Sequence, residues 1–320
     1  MKSAASVRTW ARVVIAAMAA TLAVSCSDGD SGRMITVGAG DSAQSELIAE
    51  IYAGALAHTG ARTIVRKGLR QRGDYLAALD ADTVTLVGDD SGDLLTALDS
   101  GSPARTPDKP APGTAAAPGP GVAQALSAAL PQGLAISDID DGTDLRPSFA
   151  LREEPGAQRK LASLADLAPR CGELNLGIAT GSALDPLRRS PDPQRDVLDP
   201  LRAVYHCDIV GHTVYGSDIE LRNALRDGKV QAGVFTAPAA LLPGGADGLT
   251  LLADPDYAFR AQNIVPLFRQ GALSDPQIKK LNYVAGELIT ADLVDLIRRV
   301  RDEHASAAEL ARAWLDAHSL

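Results

Sequence analysis

The side chains able to do chemistry are few and scattered along the chain. Cys26, Cys171 and Cys207 are the thiols, and His206 and His212 lie close to the last of them. Zinc is one reading of that group, but close ligand spacing and a second metal-binding motif are missing, so a Cys171–Cys207 disulfide competes with it as the simpler chemistry. Gly38-Ala39-Gly40-Asp41 lies between a β-rich run and a helical run, where free backbone N–H groups hold anions. The later glycines and the lysine of a nucleotide-binding loop are absent from it. Asp89 and Asp90 precede another helical run, where a carboxylate caps a helix or meets a cation. The acidic run over 138–144 lacks the glycine and terminal glutamate of an EF-hand and reads as a solvated loop. No Gly-x-Ser-x-Gly elbow, His-Glu-x-x-His or clustered Ser/His/Asp set occurs. The chain is therefore expected to bind rather than catalyse, with no cofactor and no metal.

Position decides what Cys26 does. Lys2, Arg8 and Arg12 precede an apolar run over 13–24 that is too short to span a bilayer comfortably, the pattern of an export signal. Leu22-Ala23-Val24-Ser25-Cys26 resembles the lipobox of bacterial lipoproteins, with Ala23 in place of the more usual leucine. Residues 1–25 are then a lipoprotein signal peptide, Cys26 carries the lipid (palmitate), and 26–33 form a polar tether on the extracytoplasmic face of the bacterial cell membrane. In that oxidising compartment the remaining cysteines form an even pair, and a Cys171–Cys207 bridge closing about 37 residues contributes about 3–4 kcal/mol on a chain-entropy account. The net charge is −9, and losing the three leader cations takes it to −12, which argues against nucleic acid as a partner.

The elements that must position any site alternate between β-rich and helical patterns, which predicts an α/β protein with largely parallel sheets. Strands are expected at 34–38, 63–65, 83–87, 133–136, 148–151, 174–178, 208–210, 231–235 and 249–252. Helices are expected at 42–56, around 75–79, from 91, and at 122–130, 197–205 and 218–226, with three more at 275–287, 290–302 and 306–317. Residues 100–121, rich in Pro, Ala and Gly, are expected to be a mobile surface loop outside either core.

Several collinear stretches carry a resemblance: the strand and helix over 35–55, Ala129-Leu130-Pro131-Gln132-Gly133-Leu134, Leu225-Arg226-Asp227-Gly228-Lys229-Val230, Asp254-Pro255-Asp256-Tyr257-Ala258-Phe259 with Asn263-Ile264-Val265-Pro266-Leu267, and the closing helices over 281–300. Together they resemble the substrate-binding proteins of ABC importers for glycine betaine, choline and related osmoprotectants. That resemblance implies a two-lobed, type II periplasmic-binding-protein-like fold with the ligand in a cleft between lobes. Lobe 1 would comprise 34–145 and 240–320, and lobe 2 would comprise 146–239. It also implies a monomer that captures a small cationic or zwitterionic solute and delivers it to ABC permease subunits. The alternative within the same fold is an orphan sensory or scaffold module that does not serve transport.

A quaternary ammonium ion has charge but no N–H donor, so aromatic faces must replace its hydration. The resemblance places Phe149, Tyr215 and the Phe235-Thr236 pair at cage positions, and Arg195 against a betaine carboxylate. Asp90 stands where the family has tyrosine, which removes a cage wall and opens the cleft to ligands bearing N–H donors. Tyr257 and Phe259 are expected to pack the segment that returns to the first lobe, and Tyr52, Tyr75, Tyr283 and Trp314 to pack helix faces.

Overall fold

The computed structural model describes residues 33–109, 119–139, 142–153, 161–181 and 188–320. The export signal and Cys26 lie outside the described residues, as does 110–118 of the Pro/Ala/Gly stretch. Residues 34–320 form one compact unit built on two five-stranded sheets.

The first sheet has the order β2 (Thr63–Arg66), β1 (Ile35–Gly38), β3 (Leu86–Asp90), β10 (Ile264–Arg269), β4 (Leu134–Ile136). β1 runs parallel to β2 and β3, whereas β10 is antiparallel to β3 and β4. Strand alternation sends Ile264 and Phe268 of β10 into one core and Val265 and Leu267 into the other. Helices therefore cover both faces. One face carries α1 (Ala43–Ala57), α8 (Asp275–Glu287), α9 (Thr290–Asp302) and α10 (Ala307–Ala317), with Leu47, Ile51, Leu281, Leu293 and Trp314 in its core. The other carries α2 (Arg72–Asp80), α3 (Ser91–Leu98) and α4 (Val122–Ala129), packed through Leu79, Leu94 and Leu126. α1 starts where the Ser42 hydroxyl accepts the Ser45 N–H at 3.0 Å, and its apolar residues are buried against sheet and helices alike.

The second sheet repeats the plan with the order β7 (Gly211–Tyr215), β6 (Asn175–Ala179), β8 (Ala232–Val234), β5 (Phe149–Arg152), β9 (Leu249–Leu252). β6 is parallel to β7 and β8, and β5 is antiparallel to β8 and β9. Both sheets are thus mixed rather than largely parallel, because each takes in strands that enter or leave through the connections to the other sheet. α7 (Asp218–Arg226) covers one face of this sheet, and α5 (Leu164–Leu167) and α6 (Asp199–Tyr205) cover the other. Cys171 and Cys207 are disulfide-bonded at a Cα–Cα distance of 5.2 Å within that second core, which removes both thiolates from any zinc site.

Four expectations shift. β3 begins at Leu86 rather than 83, because the Thr83 and Val84 N–H groups both donate to the Ala78 carbonyl at the end of α2. β7 lies at Gly211–Tyr215 rather than 208–210: Ile209 is buried in the second core, and the strand itself is an exposed sheet edge with little apolar signal. β9, which the boundary at 240 assigned to lobe 1, completes the second sheet by pairing with β5. The described part of 100–121 is anchored rather than loose, with Ala104 in a core and the Ala261 N–H donating to the Arg105 carbonyl at 2.7 Å.

The chain passes between the sheets twice, through 137–148 and 253–263, and the two connections are tied together. The Leu145 N–H donates to the Gln262 carbonyl at 2.8 Å, and Arg146 donates to the Asp254 carbonyl at 2.9 Å while lying 4.0 Å from the Tyr257 ring centroid.

Candidate functional site

A cavity of about 300 Å³ opens where these connections meet the ends of both sheets. Asp93 and Thr96 on α3, the chain at 100–105, and Phe259, Arg260 and Gln262 bound it from the first-sheet side. Arg189, Arg195 and Asp196, with Val234, Phe235 and Thr236 at the end of β8, bound it from the second. A wider groove of about 460 Å³ is lined by 107–109, α4, 136–139, Asn263 and α8. That groove meets no second-sheet element, so it offers nothing for a two-sided capture.

Four arginines and two aspartates line the cavity, which makes it electropositive in a chain of net charge −9. Asp196 consumes two of the cations. It pairs with Arg189, and it accepts Arg195 Nε at 2.9 Å, Arg195 Nη2 at 3.0 Å and the Asp192 N–H at 2.7 Å. Burial alone would raise its carboxyl pKa, but these bonds and charges hold it below the ordinary carboxylate range. Asp93 exchanges hydrogen bonds with Gln262 at 2.8 and 3.0 Å and accepts the Arg189 N–H at 3.3 Å.

Arg105 and Arg260 are held differently. Arg260 donates to the Thr96 hydroxyl at 2.6 Å and the Ser102 carbonyl at 2.5 Å, and Arg105 donates to the Ala258 carbonyl at 2.9 Å. All three acceptors are neutral, and neither arginine forms an ion pair among the described residues. Burial pulls the Arg260 pKa below the ordinary arginine range, and the neighbouring Arg105 charge acts the same way. Burial also lowers that of Arg105, against the attraction of Asp196 and Asp254.

Of the residues singled out in the sequence, Arg195, Phe235 and Thr236 line this cavity. Arg195 is engaged with Asp196, the Phe235 ring is 1% exposed within the core under α7, and Thr236 donates its N–H and hydroxyl to Asp218 at 2.8 and 2.6 Å. The other three are elsewhere. Phe149 begins β5 inside the second core. Tyr215 ends the edge strand β7, packed toward Leu221 and Gly177. Asp90 is buried at the N-terminus of α3, where it accepts Gln44 Nε2 at 3.1 Å and meets Arg188 Nη2 at 3.3 Å, so its charge is matched from within the chain.

Arg188 is the residue that sequence patterning misses most completely. Besides Asp90, it donates to the carbonyls of Leu145 at 2.9 Å and Thr236 at 3.2 Å, and so joins the end of β3, one connection and the end of β8. Phe259 also reaches the cavity, at 2% exposure, as part of the segment expected only to pack. The one sequence signal for Arg105 and Arg260 is an isolated arginine in a Pro/Ala/Gly stretch and another directly behind the Asp-Pro-Asp-Tyr turn.

Residues 33–317 match the family described as the substrate-binding domain of ABC-type glycine betaine transport systems. The chain belongs to that family. It is a family of binding proteins and not of enzymes. Among solved structures, a glycine betaine/carnitine/choline ABC transporter protein is similar over 90% of this chain and 98% of its own, at 16% identity and a TM-score of 0.68. The apo form of YehZ from Escherichia coli is similar over 89% and 99%, at 17% identity and a TM-score of 0.65. A choline-binding protein solved with choline aligns over 89% of both chains, at 14% identity and a TM-score of 0.50. At such identities the likeness establishes a shared two-lobed α/β fold. Among curated protein sequences no significant match was found.

Proposed function

We propose that the chain is the extracytoplasmic solute-binding component of an ABC importer, capturing a small osmoprotectant-type solute in the cavity between the two sheets and releasing it unchanged to permease subunits. The observation that carries this reading is a cavity walled from both sheets and lined by guanidinium groups, since a ligand touching both sides favours the closed arrangement. A zwitterion of the glycine betaine type fits through its carboxylate. The first lobe comprises 34–136 and 264–320, the second 149–252, and the tied connections between them act as the hinge. Cys26 carries the lipid that keeps this monomer beside its permease. Among the described residues no helix is long and apolar enough to cross a membrane.

The test is a thermal-shift screen of the full-length chain with glycine betaine, choline, carnitine, proline, spermidine and arginine. A ligand that binds only the folded chain at about 100 times its Kd adds about 2.7 kcal/mol of stability. A saturable rise in Tm with a carboxylate-bearing zwitterion is the expected result. A response confined to spermidine would overturn recognition through the guanidinium groups, and no response to any solute would favour the non-transporting module.

A further inference from the structure

Arg105 and Arg260 reach the cavity from separate segments, one beyond α3 and one in the returning connection, and they act on each other electrostatically. Their side chains are oriented by neutral acceptors, Thr96, Ser102 and Ala258, which fix direction without cancelling charge. Two partly buried like charges repel, and an anion placed between them converts that cost into attraction while accepting charge-assisted hydrogen bonds from their remaining N–H groups.

We infer that the solute is recognised through one anionic group held between Arg105 and Arg260, and that the rest of it is read as an apolar body, so that a quaternary nitrogen adds no affinity. Among the described residues nothing around the cavity serves such a cation. Asp196 is committed to Arg189 and Arg195, and Asp93 to Gln262 and the Arg189 backbone. The bordering aromatic residues, Phe235 and Phe259, are 1% and 2% exposed, so their faces are spent on the core instead of forming a cage. The remaining walls include Pro103, Pro147, Pro191 and Val197, which suit a body without charge.

This inference rests on the cavity being the solute site, and the experiment separates the two claims. Isothermal titration of the full-length chain compares glycine betaine with 3,3-dimethylbutanoate, which replaces the quaternary nitrogen by carbon and keeps the shape and the carboxylate, and with choline, which keeps the cation and loses the carboxylate. The expected result is that 3,3-dimethylbutanoate binds at least as tightly as glycine betaine, with choline about 100-fold weaker or more. Arg105→Ala and Arg260→Ala should each weaken 3,3-dimethylbutanoate about 10-fold or more, and Arg105→Lys and Arg260→Lys less. The lysine variants keep the assignment testable if an alanine variant fails to fold. Binding of choline and glycine betaine without their uncharged-body analogue overturns the inference and leaves solute capture standing. Tight binding of the analogue that is indifferent to all four substitutions overturns the assignment to these arginines. No binding of these three solutes or of inorganic phosphate overturns both claims.

Discussion

Thr236 commits both its polar hydrogens to Asp218, at 2.8 and 2.6 Å, and in doing so fixes the end of β8 at the cavity wall. Burial pushes the Asp218 carboxyl above its ordinary range, outweighing the two Thr236 bonds and the charge of Arg188. A raised carboxyl pKa means that the folded chain holds this proton more tightly than the unfolded chain. Stability from the site is therefore full below the unfolded pKa and is lost as pH climbs through the folded one. Asp218→Asn cannot ionise, so scanning calorimetry should show its Tm falling less steeply than that of the parent as pH rises through and above the carboxylate range. Parallel curves would remove Asp218 from the account. At this scale the sequence is partly legible. Phe235 and Thr236 end a β-rich run and reach the cavity, whereas Arg105 and Arg260 sit in aperiodic segments whose meeting is a tertiary event that no local pattern encodes. Asp90 likewise reads as an exposed opportunity for a ligand until Arg188, distant in sequence, is seen beside it.

Helices with a clear apolar period lie where periodicity puts them, as α7 to α9 do within a residue at either end. Strands fare less well where burial is one-sided or punctuated. β7 is an exposed edge, and β10 carries Pro266, which in a sequence reads as a break. The proline is tolerated because β4 pairs with β10 only from Leu267 onward, so at position 266 the strand has β3 as its one registered neighbour. Opposite Pro266 stands Gly88, and its lack of a side chain has a separate cause: a Cβ there would collide with Ile48 of α1 and crowd Tyr52. Gly88→Ala must push α1 off β3, the strand that delivers Asp89 and Asp90 to their partners. A loss of about 1–3 kcal/mol in urea unfolding is expected, with the m value unchanged. A neutral substitution would mean that α1 can shift freely, which its burial beneath α8, α9 and α10 contradicts.

At the scale of the molecule, two similarly built sheets are joined by two connections that hydrogen-bond to each other, so relative motion of the sheets is limited mainly by what bridges them elsewhere. Arg188 and Arg189 are such bridges. The first joins Asp90 and the Leu145 and Thr236 carbonyls, and the second gives its N–H to Asp93 and its guanidinium to Asp196. A solute whose anionic group sits at Arg105 and Arg260 and whose body touches Pro191 and Val197 on the second-sheet side would work alongside these internal contacts, so part of the closing free energy is supplied by the chain and part by the ligand. Removing the internal part separates them. Arg188→Ala deprives buried Asp90 of its guanidinium, a loss of about 3–5 kcal/mol for a broken buried pair, and it frees the end of β8 from the end of β3. Small-angle scattering of the ligand-free, full-length variant should give a larger radius of gyration than the parent, and a saturating ligand should bring the two values together. If the variant is destabilised but scatters like the parent with and without ligand, Arg188 stabilises the fold locally and the separation of the sheets is governed by the paired connections instead.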